Sequence, residues 1–247
     1  MLNYNLKKFN EDGFVVIRNL IPKTKVLSIR KEINRISKIL IKKYKPPYVH
    51  LTKDQKLNTA HHLNKIFPNS KLMRLANSKK VKDFLEKKFE EKVFMQNFEI
   101  FAKPNKTGKK VPFHQDNFYW NIKKEKAANL WIALNKVNKS NGGLVYLKGS
   151  HKLGLKKHTK SNTPGSSQEI KKKIIDKIKL KKISPNLNPG DCIVHHCTVM
   201  HGSNKNTSQR NRLGVAIRLV SNKATVDHLK MKKYLKSFKN KKKSKFY

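Results

Sequence analysis

Apolar residues recur at helical spacing through the first third of the chain. After Pro22, one apolar stripe defines the buried face of an amphipathic helix: Val26, Ile29, Ile33, Ile36 and Leu40. A short strand is expected just before it, over residues 14–17, and a second, lysine-rich helical region over residues 53–90. The pattern therefore predicts a helical scaffold over residues 20–90.

From Val93 onward, the pattern changes to short apolar segments separated by loops rich in Gly, Pro, Asn and Lys. The segments are "VFMQNFEIFAK", "NLWIALNKV", "GGLVYLKGS", "DCIVHHCTVM" and "RLGVAIRLV". Short strands in this number indicate a mainly β fold, a β-sandwich or jelly roll with flanking helices packed outside. We expect the jelly-roll core over residues 93–220, within a single domain over 1–225.

Two polar segments are expected to lie outside this core. Residues 156–182 are rich in lysine and predict a mobile surface insertion with a short helix. Residues 226–247 form a basic C-terminal tail, expected to be a solvated helix or a disordered extension. We expect this tail to be dispensable for the chemistry of the domain.

The size of the chain and its apolar content limit the class of protein. A chain of 247 residues can bury one substantial core. Its two cysteines, Cys192 and Cys197, lie five residues apart and project to opposite faces of a strand, so they cannot form a disulfide bond there. No run approaches the ~20 apolar residues of a membrane span. These features predict a soluble, reduced, cytoplasmic protein.

The formal net charge of +43 is the most unusual global feature. It is compatible with nucleic acid, an anionic membrane surface or an acidic substrate as partner. Only seven of the 58 Lys and Arg residues are arginines, and the lysines are scattered among many Asn and Ile residues, all of which have AT-rich codons. Genome composition therefore explains the charge as well as a functional polyanion surface does.

The segment "FHQDNFYW" places His114 and Asp116 two residues apart. On a strand both would point to the same face, with Gln115 on the other. The segment "VMHGSNKN" offers His201 at the end of a strand as a third ligand. Two imidazoles and one carboxylate on one side of a metal suit non-haem Fe(II), which keeps its other positions open. The alternative is that these residues are polar side chains at a solvated strand end.

These motifs occur in a set that resembles the phytanoyl-CoA dioxygenase family of Fe(II)- and 2-oxoglutarate-dependent oxygenases. The matching segments are "FNEDGFVVIRNLIP", "GKKVPFHQDNFYW", "NLWIALNKVNKSNGGLVYLKGSHK", "NPGDCIVHHCTVMHGSNKN" and "RLGVAIRLV". The resemblance covers the chain to about residue 220 and implies a double-stranded β-helix, which is a cupin-like jelly roll. It also implies that His114, Asp116 and His201 are the iron ligands.

The co-substrate 2-oxoglutarate needs a buried cation for its distal carboxylate, and arginine binds carboxylates in a bidentate manner. In "RLGVAIRLV", Arg212 and Arg218 share one strand face with the small residues Gly214 and Ala216. The resemblance assigns the carboxylate to Arg212, with Arg218 as the second choice.

Further residues are candidates for the surroundings of the metal and the co-substrate. The resemblance implies that Ser203 also contacts the co-substrate. Trp131 matches a tryptophan that lines the co-substrate pocket, although a core aromatic residue explains it nearly as well. Either His195 or His196, on the strand before His201, could support the metal ligands from behind.

The resemblance implies hydroxylation of a small-molecule substrate, with Fe(II), 2-oxoglutarate and dioxygen consumed or held at the site. The basic charge adds the option of an anionic substrate. Three alternatives stay open: a nucleic-acid or protein demethylase of the same chemistry, a non-catalytic jelly-roll binding protein, and a nucleic-acid-binding protein. The tail has no arginine to grip phosphates, so nucleic-acid binding is expected to be nonspecific at most.

Overall fold

A computed structural model describes residues 2–77 and 79–239. The first half contains α1 (Leu2–Asp12), β1 (Phe14–Ile17), α2 (Lys23–Lys43), β2 (Val49–Leu51), β3 (Leu57–Ala60), α3 (Lys71–Ala76) and α4 (Lys79–Phe89). The second half contains β4 (Val93–Lys103), β5 (Val111–His114), α5 (Asn117–Trp120), β6 (Ala127–Ala133), β7 (Leu144–Leu147), β8 (Thr159–Thr163), β9 (Ser166–Glu169), α6 (Lys172–Lys177), β10 (Lys182–Ile183), β11 (Cys192–His196), β12 (His201–Ser203), β13 (Arg212–Ser221) and α7 (His228–Lys239).

Eleven of the described strands form two antiparallel sheets that face each other, and β8 and β9 form a separate two-stranded sheet. The larger sheet has seven strands in the order β1-β11-β6-β13-β4-β3-β2, and the smaller has four in the order β10-β7-β12-β5. Their inner faces meet where Phe14 stacks on Tyr146, with ring centroids 4.3 Å apart. This is the predicted jelly roll, which confirms the fold class.

Alternation along β6 and β13 separates the two faces of the large sheet. Trp131 and Ala216 lie on the inner face, where they pack with Tyr146 of the small sheet. Ile132 and Val215 lie on the outer face and join the large core beneath the helices. Helix α2 covers this core with the predicted stripe: Val26, Ile29, Ile33, Ile36 and Leu40 are all buried. Burial of a side chain of this size contributes about 1.5–3 kcal/mol, so the stripe holds α2 on the sheet.

The prediction of a helical region over residues 53–90 is wrong for its first part. Here β2 and β3 form a hairpin, with Gln55 at a positive φ of 56° in the turn, and β3 continues the large sheet by pairing with β4. Helices occupy only Lys71–Ala76 and Lys79–Phe89. Pairing with β4 therefore outweighs the local helical spacing of the apolar residues.

The predicted strand "DCIVHHCTVM" is also shorter than expected. Strand β11 ends at His196, the chain turns over residues 197–200, and His201 begins β12 in the other sheet. The tight turn is closed by the backbone hydrogen bond from Val199 N to His196 O, 3.0 Å long. This crossing from one sheet to the other brings His201 beside His114.

The insertion has more structure than the sequence indicated, whereas the described part of the tail forms a helix, one of the two forms expected for it. The insertion over 156–182 contains the predicted short helix, α6, and also the hairpin β8–β9, which attaches near β5 through Ile170 N and Phe113 O, 2.7 Å apart. The tail forms α7 as far as Lys239, and residues 240–247 lie outside the described part. Within the described residues, no helix is both long enough and apolar enough to cross a membrane.

Candidate metal and co-substrate site

Three side chains of types that can bind a metal, from two neighbouring strands and the turn beside them, converge between the sheets. His114 ends β5, His201 begins β12 directly opposite it in register, and Asp116 follows β5 by two residues. Nε2 of His114 is 3.6 Å and Nε2 of His201 is 3.8 Å from Oδ1 of Asp116. One ligand atom from each residue lies within 4.8 Å of the others, and all three residues are buried. The predicted triad is thus brought together.

Asp116 reaches the cluster by a route that strand alternation did not predict. The strand stops at His114, and Asp116 has helical backbone angles, φ −58° and ψ −37°, at the start of α5. The intervening Gln115 is fully buried and points away from the cluster. Its side chain donates to the carbonyls of Thr198 (2.6 Å) and Gly154 (2.9 Å) and accepts from Lys156 N (2.7 Å). Gln115 therefore fixes the turn that swings Asp116 toward the two histidines.

Backbone carbonyls orient both histidine rings. Nδ1 of His114 lies 2.9 Å from Pro112 O, and Nδ1 of His201 lies 3.1 Å from Val199 O. A carbonyl only accepts, so each Nδ1 carries the proton and each Nε2 presents its lone pair to the cluster. This tautomer is the one that metal-binding histidines with a carbonyl partner adopt.

Asp116 is held from behind by donors on the large sheet. Its Oδ2 accepts from Nε2 of His195 (3.0 Å) and from Nδ2 of Asn129 (3.1 Å). Tyr146 O–H in turn meets Nδ1 of His195 at 2.9 Å. The sequence analysis offered His195 and His196 as possible supports for the metal ligands, and His195 is the one that contacts Asp116. His196 instead contacts the Thr198 hydroxyl. The role of Asn129 had no local sequence signal, because it depends on cross-sheet contact.

The protonation states of the cluster suit a cation. Burial by itself would raise the pKa of the Asp116 carboxyl, but the His201, His114 and His195 rings outweigh it and hold that pKa well below its usual range. Burial, reinforced by His114, lowers the pKa of His201 well below its ordinary value. A carboxylate and a neutral imidazole are the forms that ligate metal ions. The donor set therefore fits a divalent metal that accepts nitrogen and oxygen ligands, such as Fe(II).

A pair of buried cations occupies the other end of the inner face. Arg212 and Lys103 are paired in register on β13 and β4, and each is only 2% exposed. The Lys103 ammonium donates to Ser203 Oγ (2.7 Å) and Asn204 O (2.5 Å), while Nη1 of Arg212 donates to Phe101 O (3.3 Å). Nε of Arg212 has no partner.

Both cations are held at an electrostatic cost that an anion would relieve. Burial lowers the pKa of Arg212 to about 9. Burial and the adjacent Arg212 lower the pKa of Lys103 well below its ordinary value. Every hydrogen-bond acceptor that the structure gives them is neutral, and a buried charge without a counter-ion is strongly destabilising. The sequence analysis named Arg212 and Ser203 as co-substrate residues but not Lys103, which looks like any other lysine of this basic chain.

Trp131 connects the two ends of this inner face. The guanidinium of Arg212 lies 5.2 Å from its ring centroid, within cation–π range. A Cβ atom at Gly214 would lie 2.0 Å from the Trp131 ring, so only glycine fits beside it. Trp131 is 3% exposed and packs with Tyr146 and Ala216. It is therefore a wall of the inner face and a core residue at once.

Arg218, the second candidate for the co-substrate carboxylate, lies apart from this cation pair. Its guanidinium stacks over Trp120, 5.0 Å from the ring centroid. In register it faces Asn97 on β4 and Asn129 on β6. Because Asn129 donates to Asp116, Arg218 lies at the metal end of the inner face.

The jelly-roll fold is shared with solved structures, among them an Fe-bound protein and an alpha-ketoglutarate-dependent one. EctD from S. alaskensis with bound Fe superposes with a TM-score of 0.73 at 17% identity, covering 88% of this chain and 76% of that one. The carbocyclase SnoK from nogalamycin biosynthesis has the same TM-score at 17% identity, covering 92% of this chain and 88% of its own. At these identities the likeness concerns the fold.

The family follows from the sequence comparison. The family model described as phytanoyl-CoA dioxygenase (PhyH) matches residues 9–214, so the chain belongs to this family. Human peroxisomal phytanoyl-CoA dioxygenase is 26% identical over 229 residues, covering 87% of this chain and 67% of its own length. The rat enzyme is 26% identical, covering 85% of this chain and 65% of its own length. The chain thus spans about two thirds of the length of these relatives.

Proposed function

We propose that this protein is an Fe(II)- and 2-oxoglutarate-dependent dioxygenase that hydroxylates a small-molecule substrate. The observation that carries the proposal is the presence of two sites in the space between the two sheets. One is a buried His–Asp–His cluster with ligand atoms within 4.8 Å, and the other is a buried cation pair without an anion. An enzyme that binds a metal together with a small dicarboxylate needs both.

His114 and His201 would hold Fe(II) through Nε2, and Asp116 through Oδ1. Bound Fe(II) and 2-oxoglutarate supply the oxidising chemistry, in which dioxygen converts 2-oxoglutarate to succinate and CO2 and leaves one oxygen atom on the substrate as a hydroxyl group.

The protein's own contribution is orientation and exclusion of water. Arg212, Lys103 and Ser203 would bind the distal carboxylate of 2-oxoglutarate, with Trp131 along its side. His195 and Asn129 fix the Asp116 carboxylate so that Oδ1 faces the two imidazoles. Supporting donors of this kind typically change metal affinity about 10–100-fold when removed.

Nucleic acid is proposed to bind weakly and without sequence preference, which disfavours the demethylase alternative. An open groove of about 960 Å³ lies between the loops around residues 106–110, 139–140, 162–164 and 204–207. The lysines that line it are Lys106, Lys109, Lys110, Lys139 and Lys205. Lysines on a groove of this kind attract polyanions through a salt-sensitive charge effect.

We also propose a cytoplasmic location, supported by the two free, buried thiols of Cys192 and Cys197. The human relative carries the name peroxisomal.

The test is succinate formation from 2-oxoglutarate with and without Fe(II). His114→Ala, Asp116→Ala and His201→Ala should each reduce Fe(II)-dependent succinate release to background, because each removes a metal ligand. His228→Ala, at an exposed position of α7, is the matched control and should match the wild type. Turnover close to wild type in any triad variant would disprove the ligand assignment. If the wild-type protein neither binds 2-oxoglutarate nor forms succinate, the proposed function is disproved.

A further inference from the structure

The two arginines of β13 serve different parts of the inner face. They are six residues apart, which is about 20 Å along a strand that rises ~3.3 Å per residue. Arg212 stacks on Trp131 and lies beside Lys103, whereas Arg218 stacks on Trp120. If Arg212 and Lys103 hold the co-substrate, the guanidinium of Arg218 is left for another ligand.

Arg218 stands between two asparagines whose side chains are already oriented. Nδ2 of Asn97 donates to Oε1 of Glu99 (3.2 Å), and Nδ2 of Asn129 donates to Oδ2 of Asp116 (3.1 Å). Each amide nitrogen is committed to a carboxylate, so each amide oxygen faces elsewhere. Neither Asn97 Oδ1 nor Asn129 Oδ1 has a hydrogen-bond partner, although both atoms are buried.

Arg218 has capacity to bind an anion. Within the part of the chain that the structure describes, no hydrogen bond or ion pair joins its guanidinium to another residue, and the side chain is half-buried. The carboxylates of Glu99 and Asp116 attract this guanidinium through charge without a direct ion pair, and Glu99 is itself paired with His61, 3.2 Å away. A guanidinium has five N–H donors, and a carboxylate that accepts two of them makes the strongest common pair.

Asn97, Arg218 and Asn129 also lie next to the metal cluster, where a substrate has to bind in order to react. Asn129 touches the carboxylate of Asp116, so a ligand bound across Asn97, Arg218 and Asn129 has its remaining atoms beside the metal cluster. The partial exposure of Arg218 and Asn129 leaves this end open to a ligand. Lys103 and Arg212 at the other end are almost fully enclosed.

We propose that Asn97, Arg218 and Asn129 bind the substrate, and that the substrate is a small carboxylic acid carrying N–H or O–H donors, such as an amino acid or a hydroxy acid. The inference rests on the proposed function and specifies its substrate. The carboxylate pairs with Arg218, and the ligand's donors satisfy the two amide oxygens. A long apolar acyl chain would leave three polar groups unsatisfied, which costs about 1–3 kcal/mol for each buried group.

The experiment measures how candidate acids stimulate succinate formation by the Fe(II)-loaded protein. The probes are a panel of amino acids and hydroxy acids, the carboxamide of each, and palmitoyl-CoA as the apolar alternative. The variants are Arg218→Met, Arg218→Lys and Asn97→Leu, with Arg210→Met, at an exposed arginine, as the matched control. Affinity for 2-oxoglutarate is measured on every variant by titration calorimetry, and folding by thermal melting.

We expect stimulation by one or more acids and none by their carboxamides. Arg218→Met should raise the KM for the acid roughly 10- to 100-fold, the range for a lost hydrogen bond to a charged group, with an unchanged Kd for 2-oxoglutarate. Arg218→Lys should retain part of the affinity, Asn97→Leu should weaken it, and Arg210→Met should behave as wild type.

Three results would overturn the inference while leaving the proposed function intact. The first is stimulation by palmitoyl-CoA that Arg218→Met does not alter. The second is a loss of 2-oxoglutarate affinity in Arg218→Met, which would make Arg218 part of the co-substrate site. The third is a protein that turns over 2-oxoglutarate without stimulation by any acid. Absence of both 2-oxoglutarate binding and succinate formation would instead refute the proposed function.

Discussion

Replacing Arg212 by methionine should have opposite effects on the ligand-free protein and on its complex with 2-oxoglutarate. Arg212 is 2% exposed, and its Nε has no partner. Burial lowers the pKa of its guanidinium to about 9, and at ~1.36 kcal/mol per pH unit this corresponds to roughly 5 kcal/mol of unfavourable burial. Arginine stays protonated in proteins, so the cost is borne by the stability of the ligand-free fold.

Methionine fills a similar volume without a charge. We expect Arg212→Met to leave the free energy of unfolding of the ligand-free protein unchanged or to raise it by about 1–4 kcal/mol, the range found when buried ionic groups are replaced by apolar ones. In the complex, the same change removes the bidentate partner of a buried carboxylate. A loss of about 3–5 kcal/mol corresponds to roughly 100- to 4,000-fold weaker 2-oxoglutarate binding.

Urea unfolding of the ligand-free protein and calorimetric titration of 2-oxoglutarate measure the two effects separately. Arg218→Met is the matched control and should bind 2-oxoglutarate as the wild type does. The reasoning is refuted if Arg212→Met binds 2-oxoglutarate within about tenfold of wild type, a difference of only ~1.4 kcal/mol. A greater loss of 2-oxoglutarate affinity in Arg218→Met would move the anchor to Arg218.

Three further predictions concern the surroundings of the site. Glu99 raises the pKa of His61 against the effect of burial, and the pKa of Glu99 is itself lowered. The pair should therefore stabilise the fold most between about pH 4.5 and 6.5, and the difference in melting temperature between wild type and His61→Gln should shrink as the pH rises above the folded pKa of His61. His195→Phe removes a donor to Asp116 and should weaken Co(II) binding about 10–100-fold in a metal titration, whereas unchanged affinity would show that His195 does not support the ligand. Truncation after residue 226 removes the contacts of Tyr234 with Phe118 and Tyr119, so it should cost about 1–3 kcal/mol of unfolding free energy without changing the Kd for 2-oxoglutarate.

The parts of the fold that local pattern determines could be predicted. The stripe of α2 and the alternation of β13 were correct because the apolar residues that each element turns toward the core beneath the helices repeat with the period of that element. The hairpin of β2 and β3 was missed, since its four-residue strand is buried on both faces and shows no alternation. Its identity depends on pairing with β4, which is remote in sequence.

The candidate site divides in the same way. The residue types at 114, 116 and 201 carry their own chemical signal, and their convergence was predicted. The reason given for Asp116 was wrong, because the chain leaves the strand after His114 and the turn fixed by Gln115 directs the carboxylate. Lys103 has no signal of its own. Its place beside Arg212 depends on the register of two strands that are separated by more than a hundred residues.

The metal cluster lies toward one end of β13. The carboxylate of 2-oxoglutarate at Arg212 and that of the substrate at Arg218 would therefore bind at different places along this strand. Asn129 faces Arg218 in register and touches Asp116, so the metal cluster lies at the Arg218 end of the strand. A co-substrate held at Arg212 must extend past Trp131 to reach the cluster, and the absence of a side chain at Gly214 leaves room for Trp131 beside that path. A substrate carboxylate at Arg218 approaches the cluster from the opposite side. The two anions are therefore distinguished by where they sit along one strand, although both would bind to the same kind of group.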